Sequence, residues 1–339
     1  MADLVKLTDH GLYCPQADLY IDPWRGVKKA IITHGHSDHA RYGSEQYLCH
    51  HQSIPILKAR LGNVCVQGLN YQEPLYCNGV TISLHPAGHV VGSAQVRIEY
   101  KGETWVISGD YKTQNDGIST AFEPVKCHTF ITESTFGLPF FHWQSQAKIM
   151  HEIHQWWQKN YQEGISSVLF AYSLGKAQRI LANLDTTIGP VIVHGATHAM
   201  NEACMQAGVL LPATYRVSEL PDESWCKGAL VIAPSSAAGS PWLKRFEPYS
   251  TAVVSGWMAM RGARRWQAAD RGFVLSDHAD WPGLNEAIKA TGAQEVLVTH
   301  GYTDLFSRWL NEQGIKAAVL KTQFSGEQAN EAETEITEA

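Results

Sequence analysis

Short apolar runs that stop abruptly at polar residues dominate the first third of the chain. Residues 30–33 (AIIT) run into His34, and 80–84 (VTISL) lead to the loop 85–89. Residues 104–107 (TWVI) end at Ser108-Gly109-Asp110, and 129–132 (TFIT) end at Glu133. Such runs predict buried strands followed by loops, and a rigid sheet fixes whatever side chains stand at its strand ends. From 139 to 268 the pattern changes to alternating helices and strands. Residues 146–161 have helical periodicity, with Ile149, Ile153, Trp156 and Trp157 on the apolar side. Residues 168–170 predict a strand, 175–184 a helix, and 191–193 and 229–233 further parallel strands. After Arg271 the first pattern returns: 272–275 end at Asp277-His278, and 296–299 at His300. The pattern predicts one α/β domain, 1–138 with 269–325, interrupted by a second α/β domain at 139–268.

Composition changes this picture little. Hydrophobic content of 44% and charged content of 18% over 339 residues fit a globular protein with a large core. The net charge of −6 speaks against a nucleic-acid partner until it is located: the end of the chain, 325–339, carries five Glu and no Lys or Arg. Without those residues the charge is −1, and the acidic tail 326–339 is expected to be disordered. Seven scattered Cys without a CxxC pair argue against a disulfide framework or zinc ribbon and point to a reducing cytoplasm. The start, MADLVKLTDHG, has no apolar signal core, and no run is long enough to span a membrane.

The chemistry concentrates at 34–39, HGHSDH. An isolated His is most often an ordinary surface or core residue. Three His and one Asp within six residues, directly after an apolar strand, are a metal site. His34 and His36 are two apart and point the same way from an extended strand end. Asp38 and His39, at the expected start of a helix, can face a second ion. Asp22, His89, Asp110, His278 and His300 are further candidates at strand ends.

HGHSDH, Gly88-His89 and Gly109-Asp110 resemble the metallo-β-lactamase fold, a four-layer αββα sandwich with a dinuclear site. The resemblance implies that His34, His36 and His89 hold one metal and that Asp38, His39 and His300 hold the other. Asp110 would bridge the two, and Asp22 would support the metal-bearing loop. Five imidazoles and two carboxylates around two divalent ions leave net positive charge. Such a site activates a water and suits the extra negative charge of a phosphoryl transition state. The nitrogen-rich set favours Zn²⁺, with Mn²⁺ as the alternative.

The fold hosts many chemistries, so the substrate is argued from other residues. Glu133 in TESTFG, His278 in SDHAD and His300 in VTHGY resemble, in order, motifs A, B and C of the β-CASP nucleases, the branch containing Artemis and RNase J. That family inserts a β-CASP domain before motif B, which matches 139–268, and 171–179 (AYSLGKAQR) resembles a strand-to-helix segment of the insert. By this resemblance His278 is the general acid, a role worth about 10²–10⁴-fold in rate, and Glu133 orients it. Asp38 and Asp110 are catalytic as well as metal-binding. Lys176, Arg179, Arg261, Arg264 and Arg265 are candidate phosphate contacts, Arg261–Arg265 belonging to the densest basic stretch.

Segments 11–15 (GLYCP), 85–95 (HPAGHVVGSAQ), 108–112 (SGDYK), 239–242 (GSPW) and 275–281 (LSDHADW) look like the bacterial ligase-associated DNA exonuclease family. This implies a metal-dependent exodeoxyribonuclease that trims DNA ends in repair, associated with an ATP-dependent DNA ligase and a helicase. His300 leaves a second reading open, because β-CASP members acting on RNA tend to carry His at motif C: an RNA-processing exo- or endoribonuclease. A catalytically silent scaffold and a thioester hydrolase of the glyoxalase II type are the other classes. The first would be expected to have lost ligands, and the second would not explain the insert or the Glu133/His278 pair.

Overall fold

In the strand Val80–Pro86, alternate side chains point to opposite faces of a sheet, and Ile82 and Leu84 are fully buried. The same alternation organises the first of two compact units into which the chain divides in the computed structural model. The model describes residues 3–260 and 269–324. The first unit holds the described residues up to 142 and from 278 onward, and the second holds 143–277.

Two sheets build the first unit. One has six strands in the order Lys6–Thr8, Gly11–Cys14, Leu19–Ile21, Lys29–Ile31, Gln46–His50, Val66–Leu69. The first three strands are antiparallel and the remaining pairings are parallel. The other sheet has seven strands, ordered Lys316–Val319, Glu295–Gly301, Thr129–Ser134, Glu103–Ile107, Ala94–Tyr100, Val80–Pro86, Leu75–Cys77. Ile21, Ile31 and Leu48 from the first sheet form one apolar cluster with Ile82, Leu84, Val96, Ile98 and Ile131 from the second. The alternate residues face the other way. Ala30, Tyr47 and Cys49 pack with Leu57 of the helix Ser53–Leu61. Val106, Phe130, Val296 and Val298 pack with Leu284, Ile288, Phe306 and Leu310 of the helices Trp281–Thr291 and Thr303–Glu312. Each fully buried side chain of this kind is worth roughly 1.5–3 kcal/mol, so the register of every strand is strongly specified.

The second unit is a five-stranded parallel sheet ordered Val191–Val193, Leu230–Ala233, Ser166–Phe170, Tyr249–Val254, Arg271–Phe273. Its strands Ser166–Phe170 and Leu230–Ala233 are buried along their whole length, as parallel strands covered on both faces are. Leu169, Leu230 and Ile232 pack with Ile153, Trp157 and Ile180 of the helices Gln146–Gln162 and Lys176–Leu181. Val168, Phe170 and Val231 face a second cluster with Cys226, Leu243 and Phe246.

Two expectations need correction. Residues 269–277 do not join the first unit. The strand Arg271–Phe273 pairs in parallel with Tyr249–Val254, and Phe273 and Leu275 are buried among Trp156, Ala252 and Val254. Residues 139–142 lie with the first unit, where the Phe141 carbonyl accepts from the Trp281 N–H. The basic stretch with Arg261, Arg264 and Arg265, and the tail 326–339, lie outside the described residues. Among the described residues no helix is long and apolar enough to cross a membrane, and all seven cysteines are free thiols.

Candidate metal centre

Strand Lys29–Ile31 delivers the chain to HGHSDH, which forms a turn closed by His39 and Ala40 N–H groups donating to the His36 carbonyl. No helix starts at Asp38, which corrects the sequence expectation; the turn alone directs Asp38 and His39 inward. His89 stands in the loop after Val80–Pro86, with its N–H held by Ser93 Oγ at 3.0 Å. Asp110 follows the strand Glu103–Ile107. The preceding Gly109 has φ +57°, and a Cβ there would come 2.6 Å from Thr33 Oγ1. Only glycine therefore lets the two loops approach closely. His300 is the sixth residue of the strand Glu295–Gly301.

All of these side chains are buried, and they converge. The rings of His34, His36 and His89 pack edge to face, with centroids 4.7–4.9 Å apart. Their potential ligand atoms and a carboxylate oxygen of Asp110 lie within 4.8 Å of one another. Asp110 divides its carboxylate between two groups. Its Oδ2 is 3.5 Å from His34 Nε2 and 3.8 Å from His89 Nε2, while its Oδ1 is 3.5 Å from His39 Nε2 and 2.8 Å from His300 Nε2. Asp38 Oδ2 is 3.7 Å from His39 Nε2.

The donor set fits divalent ions. His34, His39 and His300 Nε2, Asp110 Oδ1 and both Asp38 oxygens are buried without a hydrogen-bond partner among the described residues. Buried polar atoms are almost always satisfied, so six such atoms converging here fit the donor set of a divalent cation. The 2.8 Å approach of His300 to Asp110 lacks hydrogen-bond alignment, as two ligands of a common ion would. Electrostatics agree. Burial favours neutral His39, yet the carboxylates of Asp38, Asp110 and Asp22 outweigh it and push its pKa up to about 10. Burial alone would raise Asp110, but the facing His39 and His300 hold it well below the usual carboxylate range. His34, deeply buried among other imidazoles, is driven well below the usual His value.

The opposite ring nitrogens are tied down. Asp22 Oδ2 receives His39 Nδ1 at 2.7 Å and the Thr33 hydroxyl at 2.6 Å, and that hydroxyl meets His34 Nδ1 at 3.0 Å. One carboxylate thus fixes the tautomer of a His in each group and leaves both Nε2 atoms facing inward. Thr299 Oγ1 meets His300 Nδ1 at 3.2 Å in the same way.

A third cluster adjoins these. His278 Nδ1 lies 2.8 and 3.0 Å from the two Glu133 oxygens, and Glu133 also accepts from the Tyr111 N–H at 2.7 Å. Burial would raise Glu133, but the facing His278 lowers it below the usual carboxylate range. The register between Thr129–Ser134 and Glu295–Gly301 shifts between Thr132 and Ser134: the partner strand carries the extra residue, at Thr299–His300, and Glu133 stands opposite it. The His278 ring centroid is 4.6 Å from that of His89.

The sequence reading missed several residues around this centre. Thr33 links Asp22 to His34, and its place beside HGHSDH was the available signal. Arg60, on the helix Ser53–Leu61, donates to the Gly35 carbonyl, and Phe324 stacks on His39; neither carried a sequence signal. Lys176 and Arg179, named as candidate phosphate contacts, are placed inside the second unit. Both are buried, Arg179 bonding Gln146 Oε1, the Ser276 carbonyl and Asp277, and Lys176 lying 3.7 Å from Asp277.

The fold resembles a crystal structure of a protein of unknown function from Enterococcus faecalis, with a TM-score of 0.57 at 11% identity, covering 88% of this chain and 80% of that one. No protein-family model matches the chain. Parts of two other proteins are similar to it. Cleavage and polyadenylation specificity factor subunit 3 of Dictyostelium discoideum is 28% identical over 124 residues, covering 35% of this chain and 16% of that protein. Endoribonuclease YSH1 of Yarrowia lipolytica is 32% identical over 126 residues, covering 35% and 14%. A longer similarity runs to a probable DNA ligase of Opitutus terrae, 33% identical over 315 residues and covering 91% of this chain. The chain spans 30% of the length of that protein.

Proposed function

We propose that the chain is a metal-dependent nucleic-acid phosphodiesterase, and specifically an exonuclease that trims DNA ends. The observation that carries the reading is the division of one buried carboxylate, Asp110, between two histidine groups, with the His278–Glu133 pair beside them. We read the first unit as a four-layer αββα metallo-β-lactamase sandwich and the second as the inserted β-CASP domain. His34, His36 and His89 would hold one ion, Asp38, His39 and His300 the other, and Asp110 would serve both. Zn²⁺ is the first choice for so many nitrogen donors and Mn²⁺ the second. Bound there, the pair supplies Lewis-acid polarisation of a phosphoryl oxygen and a water of lowered pKa.

The chain's own residues do the rest. Glu133, held ionised, accepts the Nδ1–H of His278, which leaves Nε2 as the atom that hands a proton to the leaving oxygen. Asp22 acts through Thr33 and His39 and touches no substrate. The similarity to endoribonucleases and cleavage factors supports a nucleic-acid substrate. The longer similarity to a protein named as a DNA ligase favours DNA and a working association with a ligase. The seven free thiols fit a reducing cytoplasm.

A second reading, an RNA-processing nuclease, is favoured by His300 at motif C and by the endoribonuclease relatives. A time course on DNA and RNA labelled at the 5′ or the 3′ end, with Zn²⁺ or Mn²⁺, decides between them. Release of nucleotides from DNA ends supports the first reading. Robust RNA cleavage without attack on DNA replaces it with the second, and no cleavage of either sinks both.

A further inference from the structure

The two histidine groups are braced differently. In the first, three imidazoles hold one another edge to face. In the second, the His39 and His300 centroids are 6.0 Å apart, His39 meets His34 at 4.2 Å with the planes tilted by 43°, and flat bracing comes from elsewhere in the chain. The last strand, Lys316–Val319, lies at the edge of the seven-stranded sheet, and the Leu320 N–H caps it by bonding the Val298 carbonyl. The segment that follows ends, within the described residues, with Phe324 lying flat on His39: centroids 4.4 Å apart and planes within 6°. The same ring meets His300 edge-on at 5.9 Å and Trp24 edge-on at 5.9 Å. Phe324, Asp22, His39, Ser108, Gly109 and His300 enclose a cavity of about 10 Å³, room for a single water at most.

We propose that Phe324 is a positioning residue that sets metal affinity at the Asp38/His39/His300 group and leaves the His34/His36/His89 group unaffected. The proposal rests on the two-ion reading of the centre. Its argument is geometric. Asp22 fixes the His39 ring in its plane through Nδ1, but one in-plane bond does not set the tilt about that bond, and the His34 ring on His39, 4.2 Å away, is inclined at 43° and not flat against it. A flat aromatic face against the imidazole removes the tilt and so fixes where Nε2 aims. The same ring shuts the far side of the His39/His300 pair from water, which strengthens every charge interaction behind it. Among the described ring contacts Phe324 meets His39, His300 and Trp24 and none of His34, His36 and His89.

The test is metal binding itself. Metal-free wild type, Phe324→Ala, Phe324→Leu and Phe324→Trp are dialysed against Zn²⁺ or Mn²⁺ over a range of concentrations, with circular dichroism to establish folding. Wild type is expected to bind two equivalents. Phe324→Ala keeps one equivalent at wild-type affinity and loses about 10–100-fold at the other, the usual scale for an outer-shell ligand support. Phe324→Leu, which keeps bulk without a flat face, falls between the two, and Phe324→Trp returns to wild type. Two equivalents at unchanged affinity in the folded Ala and Leu variants overturn the proposal, and so does an equal loss at both. A wild type that binds fewer than two equivalents overturns the two-ion reading and this proposal with it. A wild type that binds two while the variants are unchanged overturns the proposal alone.

Discussion

His278 can protonate a leaving oxygen only while its imidazole is charged, and Glu133, 2.8 Å away, is what favours that charge. Replacing the acid with His278→Ala is expected to lower kcat by about 10²–10⁴-fold with bound metal unchanged. Glu133→Gln removes the negative partner, so the imidazolium becomes easier to deprotonate. The alkaline limb of the pH–rate profile then moves to lower pH, and a limb that stays in place would remove Glu133 from the mechanism. A different histidine governs stability. His50 stacks on Tyr71 at 3.6 Å, accepts the Gln52 N–H at Nδ1, and has its pKa pushed down to about 4 by burial and by neighbouring His51. Unfolded His titrates near pH 6.5. The stabilisation from keeping His50 neutral is therefore whole above pH 6.5 and lost as pH falls toward 4, by up to about 3 kcal/mol. Denaturant unfolding at pH 7 and pH 5, in chelator, should show a smaller acid loss for His50→Phe than for wild type.

At the scale of elements, the strand ends that face the centre were largely legible in the chain. Apolar runs stopping at His34, Asp110, Glu133 and His300 became strands because those runs are buried on both faces, and burial of that kind leaves a clear signature. Other elements had none. The strands Lys6–Thr8 and Val66–Leu69 are short and half-exposed, and the register shift opposite Glu133 depends on pairing between strands some 165 residues apart. Lys176 and Arg179 read as candidate phosphate contacts, and no local pattern announces that Asp277 will come to meet them. The Gly109 loop is where one element constrains another. Gly109→Ala would place a Cβ against the Thr33 hydroxyl in a left-handed backbone, costing about 1–3 kcal/mol. With Thr33 displaced, His34 loses its Nδ1 partner, so metal affinity should fall alongside the melting temperature. Unchanged affinity would mean that the Thr33 link is dispensable.

At the scale of the molecule, the centre gathers Asp22, Asp38, Asp110 and Glu133 into one buried region. An ion there binds the folded state and not the unfolded one, so it stabilises by about 2.7 kcal/mol per site at a hundredfold excess over Kd. Chelation should lower the melting temperature measurably, and readdition of Zn²⁺ or Mn²⁺ should restore it. A melting temperature indifferent to chelator would argue against resident metal. The pairing of Thr129–Ser134 with Glu295–Gly301 has a consequence in time as well. A growing chain presents HGHSDH, His89 and Asp110 early, but His300 emerges only after nearly two hundred further residues. At 5–20 residues per second that wait is roughly 10–40 s. On the two-ion reading, the nascent protein therefore carries an unfinished centre until His300 emerges and pairs its strand with Thr129–Ser134.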